Sequence, residues 1–147
     1  MRKKFLWICI LAATSLHTTS GCGPGGPPRA PVSGKITVNG QPVPSGRITF
    51  YPTQGRPAMG AIRGDGTYEL TTFEPADGAL LGGHIVTIKA TQITGGQGPQ
   101  SFEEESRGVP AVAEKVEWLV PQGYSDRNRT PLTAEVKPQR NTINFEL

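Results

Sequence analysis

The chain has 147 residues, room for one ordinary domain, and is rich in the turn-formers Gly (19) and Pro (14). Its net charge of +3 comes from 15 basic and 12 acidic residues, but Arg2, Lys3 and Lys4 lie in the extreme N-terminal segment, and without them 12 basic residues face 12 acidic ones. The charges are scattered and no basic stripe with interleaved aromatics occurs, which excludes nucleic acid as an expected partner.

The chain opens with a basic start, Arg2-Lys3-Lys4, followed by the apolar run Phe5 to Ala13 and a small, mostly polar stretch to Gly21. This is the order of a secretory signal peptide over residues 1–21. Nine apolar residues give roughly 14 Å of helix, too short for a hydrocarbon core of roughly 30 Å. The segment ends Thr19-Ser20-Gly21-Cys22, which resembles a bacterial lipobox, with cleavage between Gly21 and Cys22 and lipidation of Cys22. Thr19 departs from that pattern, which usually has an aliphatic residue there. Ordinary signal cleavage after Ser20 is the alternative, and would leave Cys22 as a free thiol. The chain has two cysteines, Cys9 and Cys22, so the processed protein keeps one and forms no internal disulfide. A thioether-linked lipid would remove the liability of a free thiol in an oxidising compartment. The expected setting is therefore the cell envelope, with the protein lipid-anchored at the outer membrane or the periplasmic face. Residues 22–31 read as a flexible Gly/Pro tether.

From residue 32 to 147 the pattern is that of short strands. Val32 to Val38 alternates with Ile36 and Val38 on one face, and Asn39-Gly40 follows as a tight-turn signal. Gln41 to Gly46 reads as a polar connection because Pro42 and Pro44 lack the N–H a ladder needs. Arg47 to Tyr51, residues 58–63, Thr67 to Thr71 and His84 to Thr91 read as further strands, with Ile48, Phe50, Tyr68, Leu70, Val86, Ile88 and Ala90 inward. Segment 92–117 reads as a long loop. Ala111 to Leu119 is the one weak helix candidate, between Pro110 and Pro121. Leu132 to Val136 and Thr142 to Leu147 close the chain as strands. About seven strands with turn residues between them predict an all-β, two-sheet antiparallel sandwich.

Three stretches carry a resemblance. Val32 to Pro52 is similar to the opening of the carboxypeptidase regulatory-like, transthyretin-like β-sandwich, with its V-x-G-x-V strand, N-G-x-P turn and F-x-P ending. Gly64-Asp-Gly-Thr-Tyr-Glu-Leu70 resembles its D-G-x-Y/F segment, and Gly82-Gly-His-Ile-Val-Thr-Ile88 its G-x-Y-x-V-x-I strand. Val120 to Asp126 with Thr130 to Val136 resembles the ending of short bacterial envelope lipoproteins built on that domain. The resemblance implies a prealbumin-like sandwich over residues 32–147 and carries no activity with it.

The residues themselves offer little chemistry. His17 leaves with the signal, so His84 alone remains and a His-based zinc site is excluded by counting. His84 could serve a Ser-His-Asp arrangement, but it sits mid-strand and reads as an ordinary strand residue. Glu103-Glu104-Glu105 reads as a calcium ligand set or, more simply, a solvated loop. Asp65 reads as a turn residue. No cofactor, metal site or catalytic residue is expected. Trp118 and Tyr124 are the candidate ligand-binding residues, since aromatic side chains supply stacking area for a glycan or peptide. The alternative is that Trp118 covers an open end of the sandwich and Tyr124 anchors the loop before Leu132. The expected function is a non-enzymatic, lipid-anchored envelope protein with a structural or adhesion role, partnered by the membrane and by an envelope protein or glycan. The second reading is a carbohydrate- or peptide-binding module using Trp118, Tyr124 and the 92–117 loop.

Overall fold

A computed structural model of the chain describes residues 26–96, 103, 106–107 and 113–147. The expected signal segment over residues 1–21, with Gly21, and Cys22 lie outside the described residues.

The strands are β1 (Arg29–Ala30), β2 (Val32–Val38), β3 (Gln41–Pro42), β4 (Gly46–Pro52), β5 (Ala58–Ile62), β6 (Thr67–Glu69), β7 (Ala79–Leu80), β8 (Gly82–Lys89), β9 (Thr91–Thr94), β10 (Lys115–Trp118), β11 (Thr133–Val136), β12 (Asn141–Thr142) and β13 (Phe145–Glu146). One short 3-10 helix, Gln122–Ser125, stands between β10 and β11. The fold is all-β and sandwich-like. One sheet has the antiparallel order β11-β8-β4-β5. The other is built on β2, with β3 and β6 antiparallel along one side and β12 and β13 parallel along the other.

The period-two alternation of the sequence builds the core. Ile48 and Phe50 from β4 and Val86 and Ile88 from β8 are fully buried, and they meet Val32, Ile36, Tyr68, Leu70 and Phe145 from the other layer. Phe50 is the central contact: its ring lies 6.4 Å from Tyr68, 6.2 Å from Phe145 and 5.6 Å from His84. Burying one such side chain contributes about 1.5–3 kcal/mol. The Tyr68 hydroxyl donates to the Ile143 carbonyl at 2.6 Å, which ties β6 to the C-terminal strand across Gly34 of β2. A Cβ at Gly34 would stand 1.8 Å from the Ile143 oxygen, so this close approach requires glycine.

Four expectations need correction. Gln41–Pro42 is a strand, not a bare connection: it forms a two-residue hairpin with β2 through Asn39 (φ 49°) and Gly40 (φ 77°). Val38 and Gln41 are the first paired residues and Val43 donates to Ile36, so Pro42 falls where the missing N–H would point away from β2. Next, strand structure begins inside the proposed tether, because Arg29–Ala30 pairs with Ala79–Leu80. Third, 92–117 is not simply a loop and 115–118 is not helical. β9 and β10 pair from Thr91↔Trp118 to Thr94↔Lys115 as a two-stranded ribbon. Cross-strand pairing of Ile93 with Val116 favours the extended form over any helical preference. Residues 97–102, 104–105 and 108–112 lie outside the described residues. Last, the sandwich is not wholly antiparallel. β11 belongs to one sheet and the C-terminal strands to the other, so the connection between Val136 and Asn141 crosses between layers. Asn141 holds that crossing: its Nδ2 donates to Gln139 and Lys137 carbonyls at 2.6 and 3.0 Å, and its Oδ1 accepts the Lys137 N–H at 3.0 Å.

Candidate functional site

Three surface features and one buried group carry the side chains that could act. The first is the β9–β10 ribbon. Alternation puts Thr91, Ile93, Val116 and Trp118 on one face and Gln92, Thr94, Lys115 and Glu117 on the other. Ile93, Val116 and Trp118 are 62%, 55% and 38% exposed, so the apolar face is largely open to solvent. The polar face carries the Lys115 Nζ–Glu117 Oε1 pair at 2.7 Å, whose hydrogen bond and charge raise the lysine above its ordinary pKa.

Trp118 therefore belongs to an exposed apolar stripe. Tyr124 does not join it. It sits in the 3-10 helix, its N–H donating to Pro121 at 3.0 Å, and its half-buried side chain packs against the core. No ring contact links Trp118 and Tyr124 among the described residues. Gly21 and Cys22 lie outside the described residues, as do Glu104 and Glu105.

The second feature is a groove of about 540 Å³ on the outer face of the β11-β8-β4-β5 sheet. Gly83 and Ile85 form its floor, Tyr51 and Arg127 one wall, and Thr133 and Glu135 the other. The Arg127 guanidinium lies 5.0 Å from the centre of the Tyr51 ring. Sequence reasoning passed over these residues. Tyr51 could have been found as the outward neighbour of Phe50, but Arg127 reaches it only through the course of the 126–130 turn.

The third feature surrounds Arg29, close to the first of the described residues. Arg29 Nε is 2.9 Å from Asp77 Oδ2, with both side chains mostly buried. Asp77 also accepts the backbone N–H of Thr72 at 2.7 Å, Phe73 at 3.0 Å and Glu74 at 3.1 Å. Burial alone would raise the Asp77 pKa. The three N–H donors and the Arg29 guanidinium outweigh it and hold the carboxyl below its ordinary range. The result is a rigid turn that presents Phe73, 44% exposed, between the Arg29 and Arg56 guanidiniums at 5.4 and 5.7 Å from its ring centre. A similar local device works at Asp65, whose carboxylate is held low by the Thr67 hydroxyl at 2.6 Å and the Thr67 N–H at 3.0 Å.

The buried group is His84, 3% exposed on the inward face of β8. Its Nε2 lies 2.8 Å from the Leu80 carbonyl, which can only accept, so Nε2 carries the proton. Nδ1 is buried and has no hydrogen-bond partner. A catalytic base needs a nucleophile within reach, and none is bonded to this ring among the described residues. Among the described residues no group of three or more His, Cys, Asp or Glu side chains could hold a metal ion, and no helix is long and apolar enough to cross a membrane.

No protein-family model, curated protein or solved structure matches this chain, so its likeness to the carboxypeptidase regulatory-like domain rests on its motifs alone.

Proposed function

We propose that this chain is a non-enzymatic envelope protein, anchored in a membrane by lipid on Cys22, whose β-domain is a structural or adhesion module of transthyretin-like type. The observation that carries this reading is the order Arg2-Lys3-Lys4, Phe5 to Ala13, Ser20-Gly21-Cys22. The geometry of the domain supports it. The chain enters at one end, where the Leu81 N–H donates to the Pro28 carbonyl, just before β8. The ribbon leaves from the far end of β8, after Lys89. Eight strand residues separate the two by about 26 Å. A domain anchored by its N-terminus thus presents the ribbon away from the membrane. The test is fractionation of wild type and Cys22→Ser, with intact mass of the wild type. Membrane partitioning and an acyl mass increment, both lost in the variant, are expected. Identical fractionation overturns the reading.

The second reading, a carbohydrate- or peptide-binding module, is favoured by one observation, the exposed Ile93, Val116 and Trp118 face. A glycan and peptide array with Trp118→Ala as control tests it. No binding above background refutes it.

A further inference from the structure

We propose that Phe73 with Arg29 and Arg56 is a membrane-surface contact, with the ring in the headgroup layer of a phospholipid bilayer and the guanidiniums at its phosphates. The proposal rests on the anchoring of Cys22.

Reach is the first argument. The Gly26 backbone lies against the Arg29 side chain: a Cβ there would stand 2.9 Å from Nη1. Gly26 lies four positions after Cys22, a span of at most about 14 Å when fully extended. A lipid on Cys22 therefore keeps the bilayer within about 14 Å of the Gly26 backbone, next to the Arg29–Phe73–Arg56 cluster. At so short a tether the contact is effectively intramolecular, and even a weak one is occupied. The other large exposed apolar stripe, Ile93-Val116-Trp118, leaves from the opposite end of β8 and is out of reach.

Chemistry is the second. An exposed aromatic ring with cations beside it suits the membrane interface, where apolar and charged groups are both accommodated. Arg29 gives its Nε to Asp77, and among the described residues neither its terminal nitrogens nor Arg56 form an ion pair. Guanidinium matches phosphate geometry with paired N–H donors. The turn is held before any lipid arrives. Asp77 takes three of its N–H groups, Thr71 Oγ1 takes the Ala76 N–H at 3.1 Å, and Thr72 Oγ1 donates to the Gly78 carbonyl at 2.6 Å. Little ordering entropy then opposes the contact. Glu74 and Asp77 offset the two arginines in formal charge, so the contact is with the phosphate of ordinary phospholipids and needs no strongly anionic surface.

The test uses the lipidated chain in vesicles of phosphatidylethanolamine with a minority of phosphatidylglycerol and a headgroup-nitroxide phospholipid. Acylation blocks Cys22, so Glu74→Cys and Val116→Cys each supply one thiol for a fluorescent label. Flotation with the vesicles is read first. Failure to float means that Cys22 is not anchored, and both readings fall. With flotation, several-fold stronger quenching at position 74 than at 116 is expected. Phe73→Ala with Arg56→Ala should then lower the quenching at 74 while flotation stays unchanged. Equal quenching at 74 and 116, or quenching at 74 indifferent to the double substitution, leaves the anchor standing and overturns the contact.

Discussion

Asp77→Asn should unlock the turn that carries Phe73 and should do so in a pH-dependent way. The side chain keeps its shape, and its remaining oxygen can still accept the Thr72 N–H. The new amide group, in contrast, faces the Phe73 and Glu74 N–H groups and Arg29 Nε, three donors that lose their acceptor. The Arg29 pair is mostly buried and accounts for about 2 kcal/mol, after allowance for its partial solvent access. The two N–H groups belong to exposed residues that water can partly satisfy, about 0.5 kcal/mol each. The expected loss is about 3 kcal/mol at neutral pH. The pH sign follows from the folded carboxyl having a pKa below its unfolded value. Its contribution is fully present above the unfolded value of about 3.9 and is lost as pH falls through the folded value. The wild-type advantage should therefore shrink steadily below about pH 4. Asp65 adds an acid dependence of its own, but equally in both proteins. Urea unfolding of the Cys22→Ser chain, with and without Asp77→Asn, measures the difference. Far-UV circular dichroism is the right probe, because Trp118 is on the exposed ribbon and does not report on the core. A loss under about 1 kcal/mol at neutral pH, or one that persists unchanged near pH 2, refutes the reasoning.

Gly34→Ala should destabilise the domain by at least about 2 kcal/mol in the same urea assay, because the new Cβ meets the Ile143 carbonyl. Gly83→Ala, where the nearest atom is a Glu135 carboxylate oxygen at 3.5 Å, should change stability by less than about 1 kcal/mol; similar losses for both would show that close approach is not what Gly34 provides. Tyr68→Phe should cost about 1–2 kcal/mol, through loss of the hydroxyl bond to Ile143. Burial raises the Tyr68 pKa, so the folded state favours the neutral phenol and its stability falls as pH rises past the unfolded value of about 10. The phenolate absorbance of the folded protein below about pH 11 should then be the same with or without Tyr68, and a loss of one titrating tyrosine in the variant would contradict this. Trp118→Ala should leave stability within about 1 kcal/mol, since the ring is on an open face; a larger loss by urea unfolding would mean that the ribbon is a structural element of the sandwich.

The strand pattern was legible because a half-buried strand must alternate every two residues. Ile36, Ile48, Phe50, Tyr68, Leu70, Val86 and Ile88 announced their inward faces, and all are buried. Asn39-Gly40 and Asp65-Gly66 announced turns, because their backbone demands are local. The N-terminal Arg2 to Cys22 pattern is also a property of sequence alone, since it lies in residue order and not in pairing between distant segments. What sequence could not supply is pairing between distant segments. Alternation says which face a residue takes but not which strand lies beside it, so the parallel placement of Thr142 to Leu147 on β2 and the pairing of Lys115 to Trp118 with β9 were hidden. Pro42 misled for a related reason: a missing N–H weakens a strand only where that N–H would point at a partner. The surface clusters lie deepest out of sight. Arg29 and Phe73 are 44 positions apart and Tyr51 and Arg127 are 76 apart, and only the folded courses of the β1–β7 pairing and of the 126–130 turn bring each pair together.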